Sequence, residues 1–227
     1  MRRPLAFGLA AFLSLVAPAA ASPPPPASFS AHVDNPWFPL LPGTRYVSSG
    51  AKDGKRAHDV VLVTHSTKTI AGVPCIAVED RLTLGGRLEE RTTDWYSQDA
   101  RGNVWYFGER TAELDRNGTV TSREGSWMAG VDGAQPGLFM PAHPHIGQAA
   151  RQEYYKGHAE DRFKVIGLFK TVSPRGPANT LLTDETTALE PGTVDHKLYV
   201  RGIGAVLEQT ERGGDERNEL VSVTRTT

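Results

Sequence analysis

Few residues in this chain are spaced for chemistry, and His143 and His145, separated only by Pro144, come first. In an extended segment alternate side chains share a face, so two such imidazoles would converge on one ion. Met140 lies close by, and a soft thioether favours copper. His158, Glu160 and Asp161 become further ligands if the following strands fold back. A metal site needs ligand count as well as spacing, and no third ligand stands at a diagnostic distance. His143 and His145 are thus the metal candidates of an alternative reading, a metal-binding protein or metal-assisted hydrolase. The plainer reading is a pair of exposed loop histidines.

Other catalytic patterns are missing. The sequence holds no Gly-x-Ser-x-Gly elbow, no His-Glu-x-x-His, no phosphate loop and no dinucleotide fingerprint. Carboxylates are plentiful at Asp94, Asp99, Glu109, Glu124, Asp132, Glu160 and Asp161, enough to supply a glycosidase-like pair. Asp99 reads as a turn former and Asp94 as a strand-face group. Asp132 stands apart, because Gly130-Val131-Asp132-Gly133 lies in an apolar segment where a carboxylate needs a partner. Stapling the loop by capping backbone amides is its expected role. Cys75 is the single cysteine, so no intramolecular disulfide forms. Set in the apolar run Val73 to Val78, it reads as a buried core thiol. No catalytic residue and no cofactor is assigned.

The elements that must position these groups are organised around Asp94 to Glu109. Aromatic runs flank Asp99-Ala100-Arg101-Gly102-Asn103, a cluster of turn formers, which reads as a β-hairpin. If Gln98 pairs with Asn103, Tyr96 faces Trp105 and Trp95 faces Tyr106, and rings emerge on both faces. Such a ribbon belongs in the middle of a wrapped sheet. Further strands are expected at Thr44–Ser49, His58–His65, Cys75–Leu84, Arg151–Tyr155, Asp161–Val172, Thr180–Ala188, Val194–Val200, Ala205–Thr210 and Arg217–Val223. Asp53-Gly54, Gly72-Val73-Pro74, Gly85-Gly86, Asn117-Gly118 and Gly213-Gly214-Asp215 supply turns. No long 3.6-residue apolar period occurs. The fold class expected is all-β: one antiparallel, strongly curved sheet, a half-barrel or open up-and-down barrel whose edges must be hidden.

Two segments break the rhythm. Asn35-Pro36-Trp37-Phe38-Pro39-Leu40-Leu41-Pro42-Gly43 joins large apolar groups to prolines and reads as a plug whose rings dock on the sheet. Ser122 to Gln148 is long, rich in glycine, proline and apolar groups, and reads as an ordered lid over one mouth, with Trp127, Leu138, Phe139 and Met140 inward.

At the N-terminus, Arg2 and Arg3 precede an apolar run from Leu5 to Val16 and an Ala-x-Ala site ending at Ala21. That run is well short of the ~20 apolar residues that span a bilayer, so residues 1–21 read as a cleaved secretory signal. Residues 22–28 hold Pro23 to Pro26 and read as a stiff tether, and 29–227 as a single β domain. The formal net charge of −1 and the lack of a basic block argue against nucleic acid or an anionic membrane as the main partner. No transmembrane segment is expected after cleavage, and the location expected is periplasmic or secreted.

Several segments together resemble a group of uncharacterised exported bacterial proteins. They are Asn35 to Leu40 with Pro42-Gly43-Thr44, Asp94-Trp95-Tyr96 with Gly102 to Glu109, Gly125-Ser126-Trp127 with Ala129 to Gly137, and Arg151 to Tyr155. Leu198-Tyr199-Val200-Arg201-Gly202-Ile203-Gly204 is similar to a strand of periplasmic LolA-like half-barrels. The resemblance implies an exported antiparallel half-barrel and brings no catalytic residues. LolA is a lipoprotein carrier, and lipid carriage here would be analogy at the level of fold. The reading that results is a non-enzymatic module binding an apolar or amphipathic small molecule, or an envelope protein, at the concave face. Its expected ligand-facing residues are Trp127, Asp132, Phe139, Met140, Trp105 and Tyr154. A structural envelope-assembly domain is a further alternative.

Overall fold

A computed structural model describes residues 22–173 and 176–226. The expected leader, residues 1–21, lies outside the described residues, as do Pro174, Arg175 and Thr227. The chain enters through Pro25, at φ −58° and ψ 147°, the extended polyproline conformation that a proline run favours. One 3₁₀ turn, Pro26–Ser28, follows, and there is no α-helix among the described residues.

The first half of the chain builds β1 (Phe29–Ser30), β2 (Thr44–Lys52), β3 (Lys55–Ile70), β4 (Val73–Leu84), β5 (Arg87–Asp99) and β6 (Val104–Leu114). Short strands follow: β7 (Val120–Ser122), β8 (Trp127–Met128), β9 (Gln135–Met140), β10 (Ala149–Arg151) and β11 (Glu153–Tyr154). The last five are β12 (Asp161–Ser173), β13 (Gly176–Thr187), β14 (Val194–Val200), β15 (Gly204–Arg212) and β16 (Arg217–Arg225). Asp53-Gly54, Ala71-Gly72 and Gly85-Gly86 close three hairpins; φ is positive at all six residues, the turn whose twist suits antiparallel strands. Asp215 reinforces the first, accepting bonds from the Asp53 and Gly54 amides at 2.9 and 3.1 Å.

Every pairing is antiparallel. The meanders β2–β6 and β12–β16 join where β16 pairs with β2. Their far edges are tied by short strands: β9 pairs with β6 and β11, and β10 pairs with β12. β10 and β11 are separated by Gln152 alone, so the sheet returns on itself and forms a nearly closed barrel. Gln152 is buried, and its amide bonds the Asp161 carbonyl at 2.8 Å. Gly137 of β9 permits the seam, because a Cβ there would run into the Gln152 carbonyl. The curved all-β sheet is therefore as expected, and wrapping it removes most of its open edges.

The register of the aromatic hairpin differs from expectation. Gln98 pairs with Val104 and Tyr96 with Tyr106, while Trp95 pairs with Gly108. Asn103 stays in the turn, and Phe107 is the extra residue of a bulge, with Gly108 beside it at φ 147°. Tyr96 and Tyr106 consequently stack, 4.7 Å between centroids and 14° between planes. The segment from Ser122 to Gln148 is largely loop, as expected, but β8 and β9 within it hydrogen-bond to the free side of β6 and extend the sheet. The plug docks on the sheet as expected, with Phe38 against Tyr96. Asn35 donates from Nδ2 to the carbonyls of Gly102 (2.8 Å) and Pro141 (3.2 Å) and accepts from the Trp37 amide at 2.8 Å. Cys75 is fully buried, and that burial pushes its thiol up to about 12.

Candidate ligand-binding cavity

Period-two alternation sends Asp59 and Val61 of β3, Val78 and Asp80 of β4, and Asp94 and Tyr96 of β5 to the inner face of the barrel, where all six line a cavity of ≈ 200 Å³. Three rings form its apolar side. Phe38 of the plug lies 5.4 Å from Tyr96 and 4.5 Å from Phe139, and Tyr96 lies 5.0 Å from Phe139, centroid to centroid. Carboxylates form the other side. Val61 pairs with Asp80 and Val78 with Asp94, so Asp59, Asp80 and Asp94 step diagonally across three strands. Glu109 continues the line, since Asp94 pairs with it on β6.

Taking these carboxylates out of water disfavours their ionised forms. Burial raises Asp94 to about 7, partly offset by the Tyr106 hydroxyl, which donates to its Oδ1 at 2.6 Å. Burial, with Asp94 and Glu153 nearby, raises Glu109 to about 9. Glu109 Oε2 lies 3.1 Å from the same Tyr106 oxygen. One hydroxyl hydrogen cannot serve two carboxylates, so a protonated Glu109 donating to Tyr106, which donates to Asp94, satisfies all three groups. Asp59 and Asp80 are both raised, by burial first and, for Asp80, by the charge of Asp59. Two neighbouring acids that cannot both ionise share a proton.

One cation faces them. Lys197 of β14 is 24% exposed and bonds Glu185 and Glu208, each at 3.1 Å. Burial alone would lower its pKa, but those two carboxylates raise it well above the usual lysine value. Tyr199, almost fully buried, donates to Glu185 Oε1 at 3.1 Å. Asn218 of β16 also lines the cavity, is 9% exposed, and its Oδ1 has no hydrogen-bond partner among the described residues. Asp59 Oδ1 is in the same condition.

Of the residues expected to meet a ligand, Phe139 lines the cavity. Trp127 sits one layer behind, edge-on to Tyr106 at 5.4 Å, with its indole N–H donating to Glu153 Oε2 at 2.7 Å. Trp105 and Met140 are buried in the core rather than on the cavity wall. Trp105 is held there by its indole N–H, which donates to Asp99 Oδ2 at 3.0 Å. Tyr154 lies 4.2 Å beneath the Arg151 guanidinium, away from the cavity. Asp132 is exposed at a turn with φ 50°, rather than buried among apolar groups. His143 and His145 are both exposed, and no group of three or more His, Cys, Asp or Glu among the described residues is arranged to hold a metal ion.

Sequence reasoning passed over Phe38, Asp59, Asp80, Lys197 and Asn218 as site residues. Asp59 and Asp80 carried a signal: each lies two positions from a valine, hence on the face that valine buries.

No protein-family model matches the chain, and no curated protein matches it significantly. Among solved structures it is similar to a "putative exported protein with YmcC-like fold" from Bacteroides fragilis, at 12% identity and TM-score 0.46, covering 83% of this chain and 99% of that one. It is also similar to a "putative lipoprotein" from Parabacteroides distasonis, at 11% identity and TM-score 0.42, covering 83% and 98%. Likenesses this distant carry nothing about ligand or activity.

Proposed function

We propose that the protein is an exported, non-enzymatic binding module that encloses one small amphipathic molecule inside the barrel. The observation that supports this most is the ≈ 200 Å³ cavity, with three rings on one side and carboxylates on the other. A space of this size, walled by rings and carboxylates, is larger than a single water molecule and suits a small amphipathic occupant. A cavity of about 150 Å³ accepts benzene, which sets the scale: one ring with a short chain, not long acyl chains. Lipid carriage of the LolA kind is therefore not adopted, because the space is small and the sheet nearly closes. Export rests on the leader pattern of residues 1–21, with residues 22–28 as tether and the sheet as one domain.

The test is native purification followed by solvent extraction and mass spectrometry, with uptake of a small environment-sensitive dye in parallel. A stoichiometric low-mass compound, or dye uptake lost on substituting Phe139→Trp to fill the space, is the expected result. An extract without any such compound, together with no dye uptake, overturns the reading.

A further inference from the structure

We infer that the cavity selects a primary ammonium carried on a compact aryl or short alkyl body, with Asp59 and Asn218 receiving its N–H groups and Phe38, Tyr96 and Phe139 its apolar part. This rests on the proposed binding role and names the ligand's chemistry. Two observations carry it independently.

The first is charge. The acids Asp59, Asp80, Asp94 and Glu208 line the cavity against the single cation Lys197. Lys197 is already engaged by Glu185 and Glu208, so it is not free to receive an anion. The second is unmet hydrogen bonding. Asn218 Oδ1 is buried and lacks a donor among the described residues, while Asp59 is met by the proton it shares with Asp80. Buried acceptors without donors are costly, and an ammonium brings three donors and no acceptor. The ring cluster suits the other end, since an ammonium is attracted to aromatic faces and an aryl group stacks on them.

Protonation fits the same assignment. Without a ligand, Asp59 and Asp80 are held toward their neutral forms by burial. A bound ammonium replaces that shared proton with a fixed positive charge, so binding releases a proton to solvent. The other titratable groups lining the cavity are Tyr46 on β2, Asp94 and Tyr96 on β5, Lys197 and Tyr199 on β14 and Glu208 on β15, with Glu90 and Glu109 acting on these acids from beside it. Protonation of these raised carboxyls at acid pH therefore weakens ammonium binding.

Three near-isosteric probes test this on the purified protein by calorimetric titration at pH 8: 2-phenylethylamine, 2-phenylethanol and 3-phenylpropanoate. The amine is expected to bind at least tenfold more tightly than the alcohol, to release a proton, and to lose that advantage at pH 5. Asp59→Asn and Asn218→Ala are each expected to weaken amine binding severalfold and by more than they weaken alcohol binding; if one variant does not fold, the other carries the comparison. Alcohol or propanoate binding as tightly as the amine overturns the ammonium assignment and leaves the cavity reading standing. None of the three binding overturns the ammonium assignment, and an empty native extract as well overturns both.

Discussion

Asp94 and Asp99 lie five positions apart on one strand and show how differently one side-chain type is used. Asp99 organises its own turn. Its Oδ1 accepts the amides of Arg101 (2.8 Å) and Asn103 (3.0 Å), while Oδ2 accepts the Asn103 side-chain amide (2.9 Å) and the Trp105 indole N–H (3.0 Å). Bonds to a charged acceptor contribute more than neutral ones, so Asp99→Ala should lower unfolding stability by about 3 kcal/mol in urea titration. A change below about 1 kcal/mol would show that water replaces the carboxylate without cost. Asp99 was readable as a turn former because its partners are local. Asp94 was not readable as an interior acid, because Tyr106 and Asp59, which act on it, arrive from other strands.

The plug is the element that decides whether the cavity is enclosed. Its prolines forbid helix, Val33 bridges Leu40, and Asn35 pins the loop to the hairpin turn at Gly102 and to Pro141. The Asn35 amide also donates to Gln98 Oε1 at 2.8 Å. Asn35→Ala is expected to cost about 2 kcal/mol and to speed amide exchange in residues 33–40 more than in β4 or β5. Equal acceleration throughout would mean the plug unfolds only with the barrel. The docked rings of this segment were legible from its composition. The role of the longer 122–148 segment was not, because β6 offers it a free strand edge, and short pieces with weak alternation pair there on supply of backbone partners.

The whole molecule stores acid in its interior, and its stability should report this. For a carboxyl raised on folding, the native state binds more protons than the unfolded chain between the unfolded and folded pKa values. The stabilisation is complete below the ordinary carboxylate range and is lost as pH rises through the folded values, about 7 for Asp94 and about 9 for Glu109. Asp59, Asp80, Glu90, Glu153 and Asp161 shift the same way. Urea midpoints are therefore expected to fall steadily from pH 5 to pH 9, and Asp94→Asn with Glu109→Gln should flatten the slope. A midpoint that rises with pH over this range would refute the buried-acid account.

Taken by itself, the amino-acid order determined the long strands, the tight hairpin turns at Asp53-Gly54 and Gly85-Gly86, the docked plug and the buried thiol, since each depends on neighbours within a few residues. Tertiary structure decided the rest. Alternation says that Asp59, Asp80 and Asp94 share faces with buried residues, but which face becomes an interior depends on β16 meeting β2 and on the seam at Gln152. A one-residue bulge at Phe107 reset the ring pairing that local symmetry suggested. Closure joins strands distant in sequence, and no local pattern encodes how they meet.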